Sequence, residues 1–172
     1  MRTLPDPFYY LTNFERVVAS LDARYEALWS AQERQFIADF RLLPREPRAL
    51  LVRMVIRKGE LFRASRLNYP EIGSTRHAVE PLLDRGWVEQ KCTLDIEALA
   101  RLFTKAELLD HFSPPGIGRQ LAKPDLIAAL GARNRQPVAL ETWQRASGDC
   151  VYGLSAAPLC EQLRLMFFGN YH

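Results

Sequence analysis

The chain has 172 residues, 48% of them hydrophobic and 25% charged, with a formal net charge of +3, a composition suited to one folded core or to two small ones joined by a hinge. The opening MRTLPDPFYY breaks on two prolines, and no apolar run of about eighteen residues follows, which argues against a secretory leader and a membrane span and makes a cytoplasmic protein the expectation. The three cysteines, Cys92, Cys150 and Cys160, are odd in number and lack close pairs, so neither a disulfide framework nor a zinc knuckle has support.

Tyr10, Phe14, Val17, Val18, Leu21, Tyr25 and Leu28 recur at three- and four-residue spacing and predict an amphipathic helix facing a core. Ser30 with Glu33 has the form of a capping box, and Phe36, Ile37, Phe40 and Leu43 give the apolar face of a second helix that Pro44 ends. Pro47 suits the first turn of a third helix, with Leu50, Leu51, Met54 and Val55 buried, stopping at Lys58 and Gly59. Residues 60–67 read as a strand in which Phe62 and Ala64 face inward while Arg63 and Ser65 face out.

Ile72, Ala78, Val79, Leu82 and Leu83 mark a fourth helix, with Ser74 or Thr75 as its cap and Gly86 as its stop. Pro81 fits this helix only in its first turns, and otherwise kinks it. Residues 87–90 form a short strand expected to pair with 60–67. Helix, strand, helix, strand in this order is the pattern of a winged helix.

Helical spacing resumes from Leu94 to Leu109 with a break at Thr104, which forms a second capping box with Glu107. A loop through Pro114, Pro115, Gly116 and Gly118 leads to a helix starting near Lys123 and Pro124 and running to Gly131. Residues 134–137 are the best linker candidate, followed by a weak helix over 141–146, a strand-like piece over 150–154 and a helix over 158–168. The ending Leu165-Met166-Phe167-Phe168-Gly169-Asn170-Tyr171-His172 is apolar and aromatic, and such a patch at a terminus predicts that the chain is a fragment of something longer.

The expected fold class is therefore mainly α: a helical N-terminal region with a winged-helix unit over 1–91, a helical hairpin over 92–133, and the start of a further helical region over 134–172. Nine cations between Arg48 and Lys91 stand against five acids, a local balance of +4. Four of the 23 basic residues are lysine and the other 19 arginine, whose planar fork suits phosphate, although genomic base composition produces the same bias.

No arrangement of catalytic residues stands out. Asp84 with Glu89 and Lys91 has a faint likeness to the acid and acid-x-lysine set of metal-dependent nucleases, but no further acids support it, and solvated turn charges explain it better. His77, His111 and His172 lack ligand spacing, and Gly116-Ile117-Gly118 follows prolines instead of a strand, so no phosphate-loop fingerprint is present. No catalytic residue and no cofactor site are expected in this chain.

Binding has better support. In a winged helix the first turn of the second helix is aimed at DNA, which here offers Arg76 and His77. Arg63 and Arg66 on the wing, and Arg57 and Lys58 at the preceding helix end, could hold phosphates alongside. The same unit could instead dock a protein or regulate transcription, since fold does not fix function.

The second element has two readings. Gly116 to Ala122 matches the core of a helix-hairpin-helix, against which Pro124 argues, while Thr104 to Leu109 followed by glycines and by Lys123 to Ile127 resembles a SAP hairpin. Both place phosphate contacts at Arg119 and Lys123, with Gln120 beside them.

A winged helix followed by a SAP-like hairpin, entered through Tyr9-Tyr10-Leu11-x-Asn13-Phe14, resembles the N-terminal region of the Fanconi-associated nuclease family. Further carriers of the resemblance are Leu51-Val52-Arg53-Met54 with Arg57 and Lys58, Leu67-x-Tyr69-x-Glu71-Ile72, and Leu82-Leu83-x-x-Gly86; together they cover roughly the first 130 residues. The resemblance implies a DNA-positioning platform reading branched or flap DNA through its backbone. It also implies partners within one protein, a helical-repeat domain and a VRR nuclease domain using Mg²⁺ or Mn²⁺, that cut near 5′ flaps and digest from 5′ ends in repair of interstrand cross-links. No membrane partner is implied.

Overall fold

The computed structural model describes residues 6–25, 29–113, 116 and 119–155, and the chain divides into two units. Unit 1 takes residues 1–60, 67–89 and 154–172, and unit 2 takes 61–66 and 90–153. The helix expected over 158–168, the apolar ending, Leu28, the Tyr25 side chain and Pro114, Pro115, Ile117 and Gly118 of the glycine loop lie outside the described residues.

Unit 1 is built from α1 (Tyr9–Tyr25), α2 (Ala31–Leu42), α3 (Arg45–Ile56) and α4 (Thr75–Asp84). Along α1 the residues at helical spacing, Tyr10, Leu11, Phe14, Val18 and Leu21, are buried, and the Phe14 ring meets Phe40 of α2 edge-on at 5.5 Å. The Ser30–Glu33 capping box closes as expected, with Glu33 N–H on Ser30 Oγ at 3.2 Å and Ser30 N–H on Glu33 Oε2 at 2.7 Å. The burial of α3 is wider than the stripe suggests, since Ala49 and Val52 are as buried as Leu50, Leu51 and Met54; a helix apolar on most of its girth is a central one.

Ser74 caps α4 by accepting the His77 N–H at 3.3 Å. The helix closes with Gly86 N–H on the Leu83 carbonyl and Trp87 N–H on the Leu82 carbonyl, the paired bonds of a Schellman stop. Pro81 is not confined to the first turns but lies inside α4, where the His77 carbonyl goes without its helical donor.

Unit 2 holds α5 (Ile96–Leu102), α6 (Lys105–His111), α7 (Lys123–Arg133) and α8 (Glu141–Ser147). Its core joins Leu94, Leu99, Phe103, Leu108, Leu126, Leu130, Leu140, Trp143 and Val151. Asp95 caps α5 through the Ala98 N–H at 2.7 Å, and the Thr104–Glu107 box opens α6, so the long run of helical spacing over 94–109 is two short helices. Pro124 sits in the first turn of α7, where its missing N–H leaves no bond unmade. The helix starts at Lys123, so no continuous helix runs through Pro124 from the glycine loop, the feature that a helix-hairpin-helix would need.

The strands depart from the expected wing. β1 (Leu61–Arg63) and β2 (Val88–Lys91) are not neighbours: β5 (Val151–Leu154) lies between them in a three-stranded sheet of order β1-β5-β2. β1 pairs antiparallel with β5 in the register Leu61↔Gly153, Phe62↔Tyr152, Arg63↔Val151. The physical reason is burial: all four residues of β5 are buried, whereas β2 has two exposed residues, and a strand covered on both faces takes the central place. The strand expected over 60–67 also shortens to three residues, followed by a 3-10 turn over Ala64–Arg66.

Residues 134–137, read as a linker, lie within unit 2 and lead from α7 into β4 (Val138–Ala139), which pairs antiparallel with β3 (Thr93–Leu94). No helix among the described residues is long and apolar enough to cross a membrane.

Candidate nucleic-acid interface

In unit 1 the cations expected to contact DNA lie at two helix ends. Arg57 caps the C-terminus of α3, and Lys58 follows it, both exposed; Arg57 Nη1 also lies 3.2 Å from the Tyr69 hydroxyl. Arg76 and His77 occupy the first turn of α4, exposed as expected. Behind this turn, the Thr75 hydroxyl donates to the Leu67 carbonyl at 2.6 Å, tying the start of α4 to the segment that precedes it.

That segment is anchored from below by three residues whose joint role sequence spacing does not reveal. Arg53 Nη2 donates to Glu71 Oε1 at 2.5 Å and Tyr10 Oη donates to the same oxygen at 3.0 Å. The Arg53 guanidinium lies 3.8 Å from the Tyr10 ring centroid and 4.7 Å from that of Tyr69, in cation–π range of both.

Burial and the adjacent Glu71 carboxylate push the Tyr10 phenol up to about 12, against the opposing pull of Arg53. Burial alone would raise the Glu71 carboxyl, but the hydrogen bonds from Arg53, its own backbone and Tyr10 prevail and hold it below its ordinary value. In the sequence its trace is Arg53 standing within the apolar run Leu50–Ile56 of α3.

In unit 2 the expected contacts separate. Arg119 and Gln120 are exposed, and Arg119, its side chain 85% exposed, has only a loose pairing with Asp110 at 3.7 Å. Arg66 is exposed at the end of the 3-10 turn. Lys123 is half-buried, and its Nζ donates to the Phe103 carbonyl at 2.7 Å, the residue that ends α5. Lys105 Nζ in turn donates to the Arg119 carbonyl at 2.9 Å, so two lysines brace the hairpin from within.

Arg63 does not face out. Its side chain is 12% exposed, with Nη1 2.7 Å from Glu107 Oε1 and Nε 3.0 Å from Asp149 Oδ2. Burial works against the Arg63 charge, yet the bonds to Glu107 and Asp149 raise its pKa above the ordinary value, and the two carboxyls are held below theirs. Alternation along a strand predicts an outward Arg63; the non-local partners at 107 and 149 turn it inward instead.

Asp84 and Glu89 are exposed. Among the described residues no three His, Cys, Asp or Glu side chains are grouped to hold a metal ion. The described residues thus offer no acid cluster of the kind that would hold Mg²⁺ or Mn²⁺.

Comparison with known proteins adds the context. Residues 8–89 match the family described as FAN1, HTH domain, and residues 93–143 the Fanconi anemia-associated nuclease SAP domain. Over 97% of its length the chain is 48% identical to a Fanconi-associated nuclease 1 homolog of Pseudomonas aeruginosa, and spans 30% of that protein. A homolog of the same name from Oryza sativa subsp. japonica is 33% identical over 53% of this chain and 9% of its own length.

Among solved structures, paFAN1 bound to 2nt 5′flap DNA with gap superposes with a TM-score of 0.89 at 46% identity, over 98% of this chain and 31% of that one. paFAN1 bound to 1nt 5′flap DNA with gap gives 0.86 at 47% identity, over 96% of this chain and 31% of that one. The order of the two matched regions, the capping of their helices and the identity along nearly the whole chain agree: this chain belongs to the Fanconi-associated nuclease family and carries its HTH and SAP regions.

Proposed function

We propose that this chain is the DNA-binding platform of a structure-selective repair nuclease that cuts at 5′ flaps and digests from 5′ ends in interstrand cross-link repair. The observation that carries the reading is the 0.89 TM-score, over 98% of the chain, to a relative crystallised on 5′-flap DNA. The exposed cations at the ends of α3 and α4 and on the hairpin loop agree with backbone recognition, in which arginine meets phosphate without reading bases.

On this reading Arg57, Lys58, Arg66, Arg76, His77, Arg119 and Gln120 are the contact set. Arg63 and Lys123 act inside unit 2, because their charged ends are already committed. The remainder of the nuclease, a helical-repeat and a VRR nuclease domain in the cytoplasm, would supply the catalytic acids. Mg²⁺ or Mn²⁺ bound there would polarise the scissile phosphate and activate water.

The test compares binding of a 5′-flap substrate, a plain duplex and a randomised duplex across a salt series. A platform binds the flap most tightly, is indifferent to duplex sequence, and loses about 0.7 to 0.9 of salt slope when Arg119→Gln removes one phosphate contact. Tight preference for one duplex sequence would point to a transcription regulator. No salt-sensitive DNA affinity would point to a protein-docking module.

A further inference from the structure

Residues 61–66 fall inside the stretch matched to the HTH region, yet they pack in unit 2. What they bring is one guanidinium. Arg63 bonds Glu107, which itself closes the α6 capping box by accepting the Thr104 N–H at 2.8 Å. It also bonds Asp149, which accepts the Ser65 N–H at 3.0 Å, the Ser65 hydroxyl at 2.7 Å and the Cys150 N–H at 2.9 Å. The guanidinium carbon lies 5.2 Å from the ring centroids of both Phe103 and Trp143.

One planar fork therefore ties the first turn of α6 to the start of β5, with aromatic rings around it. A lysine, a point charge without the fork, cannot satisfy both carboxylates and the rings together. The consequence extends beyond the cluster, because Lys105 in that same first turn holds the Arg119 carbonyl, and Lys123 holds the end of α5. The placement of α6 thus sets the placement of the loop that carries Arg119 and Gln120.

We propose that Arg63 is a positioning residue for DNA binding by the hairpin: through Glu107 and Asp149 it fixes the first turn of α6, and with it the Arg119 loop, without touching DNA. This role rests on the platform reading above. It also gives the interrupted domain division a function, since a segment of the HTH match sets the geometry of the SAP match.

The experiment measures flap-DNA affinity at fixed salt for the wild-type chain, Arg63→Lys, Asp149→Asn, Arg119→Gln and the Arg63→Lys/Arg119→Gln double variant. Positioning through the fork predicts that Arg63→Lys weakens binding about three- to tenfold although the charge is kept. Asp149→Asn weakens it similarly although an acid has been removed. Arg119→Gln costs less affinity in the Arg63→Lys background than in the wild type, because its contact is already degraded there, a coupling that a general loosening of the fold would not give.

Wild-type affinity in Arg63→Lys, tighter binding by Asp149→Asn, or additive losses in the double variant would each overturn the role, and together they would mark Arg63 as an ordinary phosphate contact. Asp149→Asn keeps the side-chain shape and one of the two acceptor oxygens, and Arg63→Lys keeps a cation beside both acids, so folded protein carries the test where Arg63→Met would strand two carboxylates. Absence of salt-dependent DNA affinity in the wild-type chain would overturn the platform reading itself, a result separate from any failure of Arg63.

Discussion

Arg53 and Glu71 stand eighteen residues apart in sequence, yet Nη2 of one lies 2.5 Å from Oε1 of the other, with Tyr10 Oη on the same oxygen. This junction holds the approach to α4 against α1 and α3, and its Glu71 side chain is only 8% exposed. Removing the acid leaves a guanidinium and a phenol without their acceptor, which is costlier than losing one donor. Glu71→Ala is expected to lower unfolding free energy by about 2 to 3 kcal/mol, and Tyr10→Phe by about 1 kcal/mol. Urea midpoints at constant m-value measure both, and equal effects of the two variants would contradict the shared-acceptor arrangement.

The same junction sets a pH dependence at each end of the scale. Glu71, Glu107 and Asp149 all titrate below their ordinary values, so the unfolded chain binds protons first as pH falls. Their contribution is complete above the unfolded carboxyl range and is lost as pH drops through the folded values. Tyr10 is raised to about 12 from 10.0; its neutral form is favoured in the fold, so its contribution is present below 10.0 and declines as pH rises from there toward 12. Stability plotted against pH should have a plateau between these limbs. Glu71→Gln should flatten the acid limb, and ultraviolet titration should find a late-ionising tyrosine signal that is absent in Tyr10→Phe.

What the sequence disclosed and what it hid divide along a physical line. Ser30 with Glu33, Thr104 with Glu107, Ser74 before α4 and Gly86 after it are contacts made within a few residues, and all form as read. The partners of Arg63 lie 44 and 86 residues away, and nothing in the alternation of 60–67 reports them. The placing of β5 between β1 and β2 is equally non-local. At the candidate interface, exposure of Arg76, His77, Arg119 and Gln120 was legible from punctuation, since turns and first turns face solvent. The inward use of Lys123 was not, because a lysine beside a helix start looks the same whether its ammonium meets a phosphate or a carbonyl.

Gly86 offers a clean test of backbone strain. It follows α4 at φ +67, and a Cβ at this position would have open space within 4 Å, so the cost of a side chain is conformational and not steric crowding by neighbours. Gly86→Ala should destabilise by about 1 to 2 kcal/mol, the penalty of a left-handed L-residue, while Gly86→Asn should recover part of it. Thermal melts of the two variants decide the matter. An alanine variant as stable as the wild type would mean that the Schellman stop is not retained.

Lys123 is the position at which structure and electrostatics make opposed forecasts. Its ammonium donates to the Phe103 carbonyl at 2.7 Å, and that carbonyl, past the last turn of α5, has no helical donor of its own. A cation there satisfies the bond and opposes the negative end of the helix dipole. Lys123→Met keeps the aliphatic stem and removes only the charged bond, so it should cost about 1 to 2 kcal/mol of stability. If the ammonium is committed to this carbonyl, the salt slope of flap-DNA binding should stay unchanged in Lys123→Met, while Arg119→Gln, whose side chain is 85% exposed, lowers it by about 0.7 to 0.9. A slope that falls equally in both variants would return Lys123 to the phosphate contacts. A slope that falls in neither would remove the Arg119 loop from the interface and leave the exposed cations of unit 1, and Arg66, to hold the DNA.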